Sequence, residues 1–159
     1  MPLSQPEDVL AALNEGKPYR LIGAPENPQI DFRSQPYALD TSKGMWELAR
    51  DVADLANHSG GVILIGVRPA RSEGSFVEVA TELQPVPASM LNVDRYCSII
   101  REQVRPSVEF DVAYFQASHH AHRGYMSIHV KPLARIGRRA TVRQPWARFW
   151  PLGAASRAR

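Results

Sequence analysis

DVADLANHSGGVILIGV, residues 51–67, reads as the end of a helix, a Ser-Gly-Gly corner and a wholly apolar strand. Val62, Ile63, Leu64 and Ile65 follow one another with no polar residue, as in a strand covered on both faces. Gly60 and Gly61 suit the left-handed cap in which the backbone leaves a helix and reverses at once. The stretch predicts a central strand with the preceding helix packed directly on it.

Upstream, Met45, Leu48, Ala49, Val52, Leu55 and Ala56 recur at three- and four-residue steps. They predict an amphipathic helix from about Lys43 to His58, capped by Thr41 or Ser42. Its polar face carries Glu47, Arg50, Asp51 and Asp54, with Arg50–Asp54 an expected i,i+4 pair and His58 placed to interact with the helix end. Gln29–Arg33 alternates, so Ile30 and Phe32 are expected inward and Asp31 and Arg33 outward. Ser4-Gln5-Pro6-Glu7 has the pattern of a capping box and opens a first helix, which Gly16 closes.

Downstream, Arg68–Ser75 reads as a polar turn, Phe76–Ala80 as a short strand and Gln84–Ala88 as a loop. Asn92–Val104 predicts a third helix ended by Pro106. Val108–Phe115 and Tyr125–Val130 alternate on either side of a His- and Gly-bearing connection, which predicts a β-hairpin. Arg148–Leu152 is a candidate last edge strand. The expected fold is α+β, a mixed sheet with helices packed mainly on one face. Residues 1–24 form an N-terminal helix and linker, 25–132 the core, and 133–159 a basic segment that can supply the last strand.

Composition sets the class. A chain of 159 residues, 44% hydrophobic and 22% charged, is that of one ordinary globular domain. No apolar run approaches the roughly 20 residues of a membrane span. The first residues lack the basic start of a signal peptide, and a single cysteine, Cys97, excludes an internal disulfide framework. Both suit a reducing cytoplasm, with Cys97 a buried, inert thiol beside Tyr96, Ile99 and Ile100.

The net charge of +3 is unevenly spread. Residues 133–159 hold seven arginines (135, 138, 139, 143, 148, 157 and 159) and no acid, whereas the rest of the chain holds 12 basic and 16 acidic residues. A basic segment on a mildly acidic body points to an anionic partner, DNA or RNA first. A solvated tail is the plainer reading of the same composition.

Common catalytic motifs are absent: there is no phosphate-binding GxxxxGK[ST], no GxGxxG, no GxSxG and no HExxH. His119, His120 and His122 are numerous enough to bind a metal but fall at the expected hairpin tip, with no acid or cysteine beside them, and read as an exposed turn. Glu26 and Asp31 lie five residues apart across a loop-to-strand junction. Two such carboxylates can share a hard divalent cation that activates water, although most such pairs are solvated surface acids.

Glu26-x-x-x-x-Asp31-Phe32-Arg33 followed by Leu55–Val67 resembles the Schlafen AlbA domain, a family described as DNA-binding. The family pattern has an acid, then Glu-Phe-Lys, a helix ending in Ala-Phe-Ala-Asn, a Gly-Gly corner and an Ile-Gly-Val strand. Asn57, Gly60, Gly61, Gly66 and Val67 match it in order, and Asn57 with the glycines is expected to hold the corner. Arg105-Pro106, the hairpin and Arg148–Arg157 are similar to its later elements, so the resemblance covers about Pro25 to Arg157.

The resemblance implies two activities. Many bacterial members are assigned nucleic-acid binding, often fused to ATPase-like or winged-helix regions, which fits a transcriptional regulator. Some animal Schlafens are RNA endonucleases with three acids; Glu26 and Asp31 match the first two, but Arg68 stands at the third. A cation there disfavours a divalent metal. The leading expectation is therefore a non-catalytic module with no cofactor and no metal, holding DNA or RNA phosphates through Arg33, Arg68, Arg71, Arg135, Arg138, Arg139, Arg143 and Arg148. Trp146, Phe149 and Trp150 can stack on unpaired bases or cover a sheet edge. The alternatives are an endoribonuclease using Glu26 and Asp31 with Mg²⁺ or Mn²⁺, and a protein-interaction or regulatory module cut from a longer ATPase-linked protein. Homo-oligomerisation is left open.

Overall fold

The computed structural model describes residues 3–133 and 139–143. The chain enters through α1 (Pro6–Asn14) and a short 3-10 turn (Pro18–Leu21), then forms β1 (Ile30–Arg33) and α2 (Ser42–Asn57). After the Gly-Gly corner come β2 (Gly61–Ile65), β3 (Val67–Arg71), β4 (Glu78–Leu83) and β5 (Val86–Pro87). α3 (Val93–Gln103) runs directly into β6 (Val104–Arg105), followed by β7 (Phe110–Ala117), β8 (His120–Val130) and β9 (Thr141–Val142).

β2 is the centre of a five-stranded mixed sheet. It pairs in parallel with β1, Ile30 opposite Val62, and antiparallel with β8, Ile63 opposite Ile128. β8 pairs on its other side with β7 and, at its start, on the same side as β2, with β5. All five β2 residues are buried, so the apolar run is covered on both faces as expected. Under α2 and α3, Ile63 and Ile65 pack with Leu48, Val52, Tyr96, Ile100 and Met126. On the opposite face, Val62 and Leu64 pack with Ile30, Phe32, Leu21 and the α1 residues Val9 and Leu13. Two helices therefore cover one face, while α1, from the expected N-terminal helix and linker, is built into the core of the other.

The corner between α2 and β2 is sterically exact in its glycine requirement. Gly60 (φ +72°) donates its N–H to Leu55 O at 2.8 Å, ending the helix, and Gly61 has φ +152°. A side chain on Gly61 would run into the Gln29 carbonyl, and one on Gly60 would lie 2.6 Å from Val130 O. The helix end, β1 and β8 thus meet at a point where only backbone fits.

Several local expectations change. Arg68–Arg71 is strand rather than turn: β3 pairs with β4 in a separate two-stranded ribbon, and a register shift at Arg68/Pro69 accommodates the proline. Gln5 rather than Ser4 occupies the α1 cap, without a side-chain bond, because the helix starts at Pro6. Thr41 is the α2 cap, accepting from Gly44 N. Arg50 pairs with its neighbour Asp51 instead of Asp54. Asp31 and Arg33 are half-buried toward α2 rather than outward, because β1 lies beneath that helix. The expected strand Arg148–Leu152 falls outside the described residues.

Candidate functional site

Glu26 and Asp31 do come together, at the β1 edge. The segment Gly23–Glu26 lies along β4 as an extra strand would: Gly23 N donates to Ala80 O (2.7 Å), Ala80 N to Ala24 O (2.9 Å) and Glu26 N to Glu78 O (2.8 Å). This turns the Glu26 side chain back over β1, where its Oε1 accepts the Phe32 N–H at 2.9 Å. Burial pushes the Glu26 carboxyl up to about 7, against the lowering effect of the Phe32 N–H, and the Asp31 and Glu78 carboxylates push it further. Asp31 is raised too, by burial first and then by the Asp51 charge, with Arg33 opposing.

The third acid at this edge is Glu78, delivered by β4. Arg68 does not join the acids. Its Nη1 lies 3.4 Å from Glu82 Oε2, and its carbonyl accepts the Thr81 hydroxyl. Glu78 reaches the edge through hairpin register, opposite Arg71, and no local motif marks it. Three carboxyls nevertheless do not make a metal centre: among the described residues, no three His, Cys, Asp or Glu side chains are arranged to hold an ion. Glu26 also commits one oxygen to the Phe32 backbone N–H. Beside these carboxyls a cleft of about 280 Å³ between β1 and α2 is lined by Asp31, Asp51, Asp54 and His58, a surface that repels phosphate.

The expected arginines divide into groups. Arg33 is built into the fold: its Nη1 lies 3.6 Å from Asp51 Oδ2 and its guanidinium 3.9 Å over the Tyr37 ring. Arg68 and Arg71 are exposed on β3, in surface pairs with Glu82 at 3.4 Å and Glu78 at 3.9 Å. Arg139 and Arg143 are exposed on either side of β9. Arg135, Arg138 and Arg148, with Trp146, Phe149 and Trp150, fall outside the described residues. His119 sits in the turn between β7 and β8, and His120 and His122 are exposed on β8. Cys97 is half-buried, its thiol pushed up by burial, which suits an unreactive group.

Asn57 has a different task from the one expected. Its Nδ2 donates to Ala140 O at 3.0 Å and its Oδ1 accepts from Ala140 N at 2.6 Å. The last residue of α2 thus grips the chain just before β9, close to where Leu133 N donates to Ala56 O at 2.8 Å. β9 then pairs with β6, with Val142 opposite Val104 and Thr141 opposite Arg105. Arg105, named in the sequence only as part of Arg105-Pro106, has a contact that no local pattern marks. Its Nη1 donates to the carbonyls of Arg101 (2.6 Å) and Val104 (3.0 Å), satisfying the end of α3.

A search of curated proteins finds no match to the chain. Among solved structures, the fold is similar to the N-terminal domain of a RecG-related protein from Nitrosomonas europaea, determined by solution NMR. The two share 20% sequence identity and a TM-score of 0.44, over 82% of this chain and 74% of the other. The model of the family described as Schlafen, AlbA_2 matches residues 26–144, from Glu26 through α2, the Gly-Gly corner and β2 to just beyond β9. With three quarters of its sequence matched by that model, the chain belongs to the Schlafen AlbA_2 family.

Proposed function

We propose that this domain binds DNA or RNA through the phosphate backbone and does not cleave it. The observation that carries the reading is the separation of charge. Residues 133–159 hold seven arginines and no acid, whereas the carboxylates Glu26, Asp31, Glu78 and Asp51 gather around β1, in the body of the domain. Membership of the Schlafen AlbA_2 family supports the same reading. Arg68 and Arg71 add exposed guanidinium groups whose surface pairs with Glu82 and Glu78 are weak enough for a phosphate to replace. Contacts of this kind give affinity without base specificity and release counterions.

Titration of labelled DNA and RNA at low and at physiological salt tests the proposal. Binding that weakens steeply as salt rises is the expected result. No binding at low salt, or binding indifferent to salt, would remove the basis of the reading. RNA incubated with the protein in Mg²⁺ or Mn²⁺ should remain intact. Cleavage that disappears in the Glu26→Ala/Asp31→Ala double variant would replace binding by the endoribonuclease alternative.

A further inference from the structure

Resting on the nucleic-acid reading above, we infer that the phosphate-contacting surface is the outer face of the β6–β9 ribbon, formed by Arg105, Arg139, Thr141 and Arg143. Side chains two residues apart in an extended strand share a face. Along the second strand of the ribbon, Ala140 is buried and Val142 half-buried, whereas Arg139, Thr141 and Arg143 are exposed. Their common direction follows from that alternation.

Register brings Arg105 to the same face. Thr141 is its direct partner, and the Thr141 hydroxyl donates to Arg105 O at 3.3 Å. The ladder is extended by Arg143 N, which donates to Gln103 O at 2.6 Å. Val104 and Val142 pair toward the core behind the arginines, so the ribbon has one apolar and one cationic side.

These guanidinium groups keep their charge unneutralised in a way that the others do not. Arg33, Arg68 and Arg71 each have a carboxylate partner, but among the described residues Arg105, Arg139 and Arg143 have none. Residues 134–138 and 144–159 contain no Asp or Glu side chain that could supply one. Arg139 and Arg143, with Thr141 between them, stand about 13.6 Å apart in extended chain, roughly four times the 3.4 Å rise per nucleotide of duplex DNA, so both can meet phosphates of one strand that are not adjacent.

The ribbon is also positioned rather than loose. Asn57 grips both backbone groups of Ala140, between Arg139 and Thr141, and Arg105 is held by the carbonyls at the end of α3. Asn57 is thus a positioning residue for a cationic array that it does not itself extend.

The test is fluorescence anisotropy of the full chain with labelled DNA and RNA oligonucleotides across a salt series. The Arg105→Gln/Arg139→Gln/Arg143→Gln variant should bind more weakly, and the slope of log affinity against log salt should flatten by about 0.9 for each arginine removed. The corresponding triple Lys variant should keep the wild-type slope. Single R139Q and R143Q variants, altered only at exposed side chains, give the same reading if the triple variant folds poorly. N57A should lose affinity although every arginine remains. Wild-type binding in the triple Gln variant would overturn the assignment of this surface while leaving the proposed function intact. An equal loss in K17Q/R20Q, exposed cations beside Glu15 with no part in the ribbon, would overturn it as well, since net charge would then be read. Absence of binding by the wild-type chain would instead overturn the proposed function itself.

Discussion

Arg33 and Asp51 form a half-buried ion pair that fastens β1 to α2, with Nη1 3.6 Å from Oδ2. Asp51 also accepts the Tyr37 hydroxyl at 2.6 Å, and Tyr37 lies beneath the guanidinium. One carboxylate therefore accepts a buried hydroxyl and neutralises a half-buried guanidinium. Asp51→Ala is expected to destabilise the domain by about 2–3 kcal/mol, because the Tyr37 hydroxyl loses its acceptor and the Arg33 charge its partner, and Asp51→Asn by less, because one acceptor oxygen remains. Urea unfolding measures this through the midpoint. An unchanged midpoint in Asp51→Ala would show that the triad contributes nothing.

Asn57→Ala removes two backbone contacts and leaves the Ala140 groups without their partner. The expected cost is about 1–3 kcal/mol. Local consequences are sharper than global ones, since β9 holds only Thr141 and Val142. Hydrogen exchange should therefore quicken at Ala140 and Arg143 more than at Ile63. Uniform quickening throughout the sheet would contradict a local clamp.

The two kinds of glycine in this fold can be told apart by one methyl group. Gly74 has φ +79° and nothing around its missing side chain, so Gly74→Ala should cost only the left-handed backbone strain, about 1–2 kcal/mol. Gly61 has φ +152° and the Gln29 carbonyl in the way. Gly61→Ala should cost clearly more, because β1 must shift away from β2 or the corner must open. Thermal unfolding of the two variants side by side gives the comparison, and equal losses would refute the steric account.

Glu26 should make stability depend on pH in a defined direction. Its folded value of about 7 lies above the ordinary 4.5, so the folded state binds the proton more tightly. The contribution is fully present below about 4.5 and is lost as pH rises through about 7. Asp31 acts in the same sense. Glu26→Gln keeps an acceptor for Phe32 N and removes the titration. It should match the wild type near pH 4.5 and unfold at a higher temperature than the wild type at about pH 8. Parallel melting curves for the two proteins across that range would show that Glu26 does not titrate as described.

Much of this fold is written in local periodicity. The stripe of Met45, Leu48, Val52 and Leu55, the glycine corner and the apolar run of β2 each declare themselves within a few residues. The short strands do not. β3 contains two arginines and a proline, and its pairing is imposed by β4 rather than by its own composition. β6 and β9 are two residues each, too short for any alternation to register. The candidate site follows the same division. Glu26 and Asp31 could be paired because they are near in sequence. Glu78 could not, since its position is set by cross-strand register, nor could the Asn57–Ala140 contact, which spans 83 positions. Arg33 misled for the opposite reason: alternation placed it on the polar side of β1, but that side is roofed by α2.

The span of that contact has a consequence for when the domain becomes competent. Closing a loop of this length is entropically costly, and the helix end, the finished sheet and α3 must all be in place before β9 has anything to register on. A partly folded chain carries the same arginines as diffuse charge, but not as an ordered row. The ribbon is therefore a proof of completed folding, and a ligand that reads its spacing would discriminate finished molecules from unfinished ones.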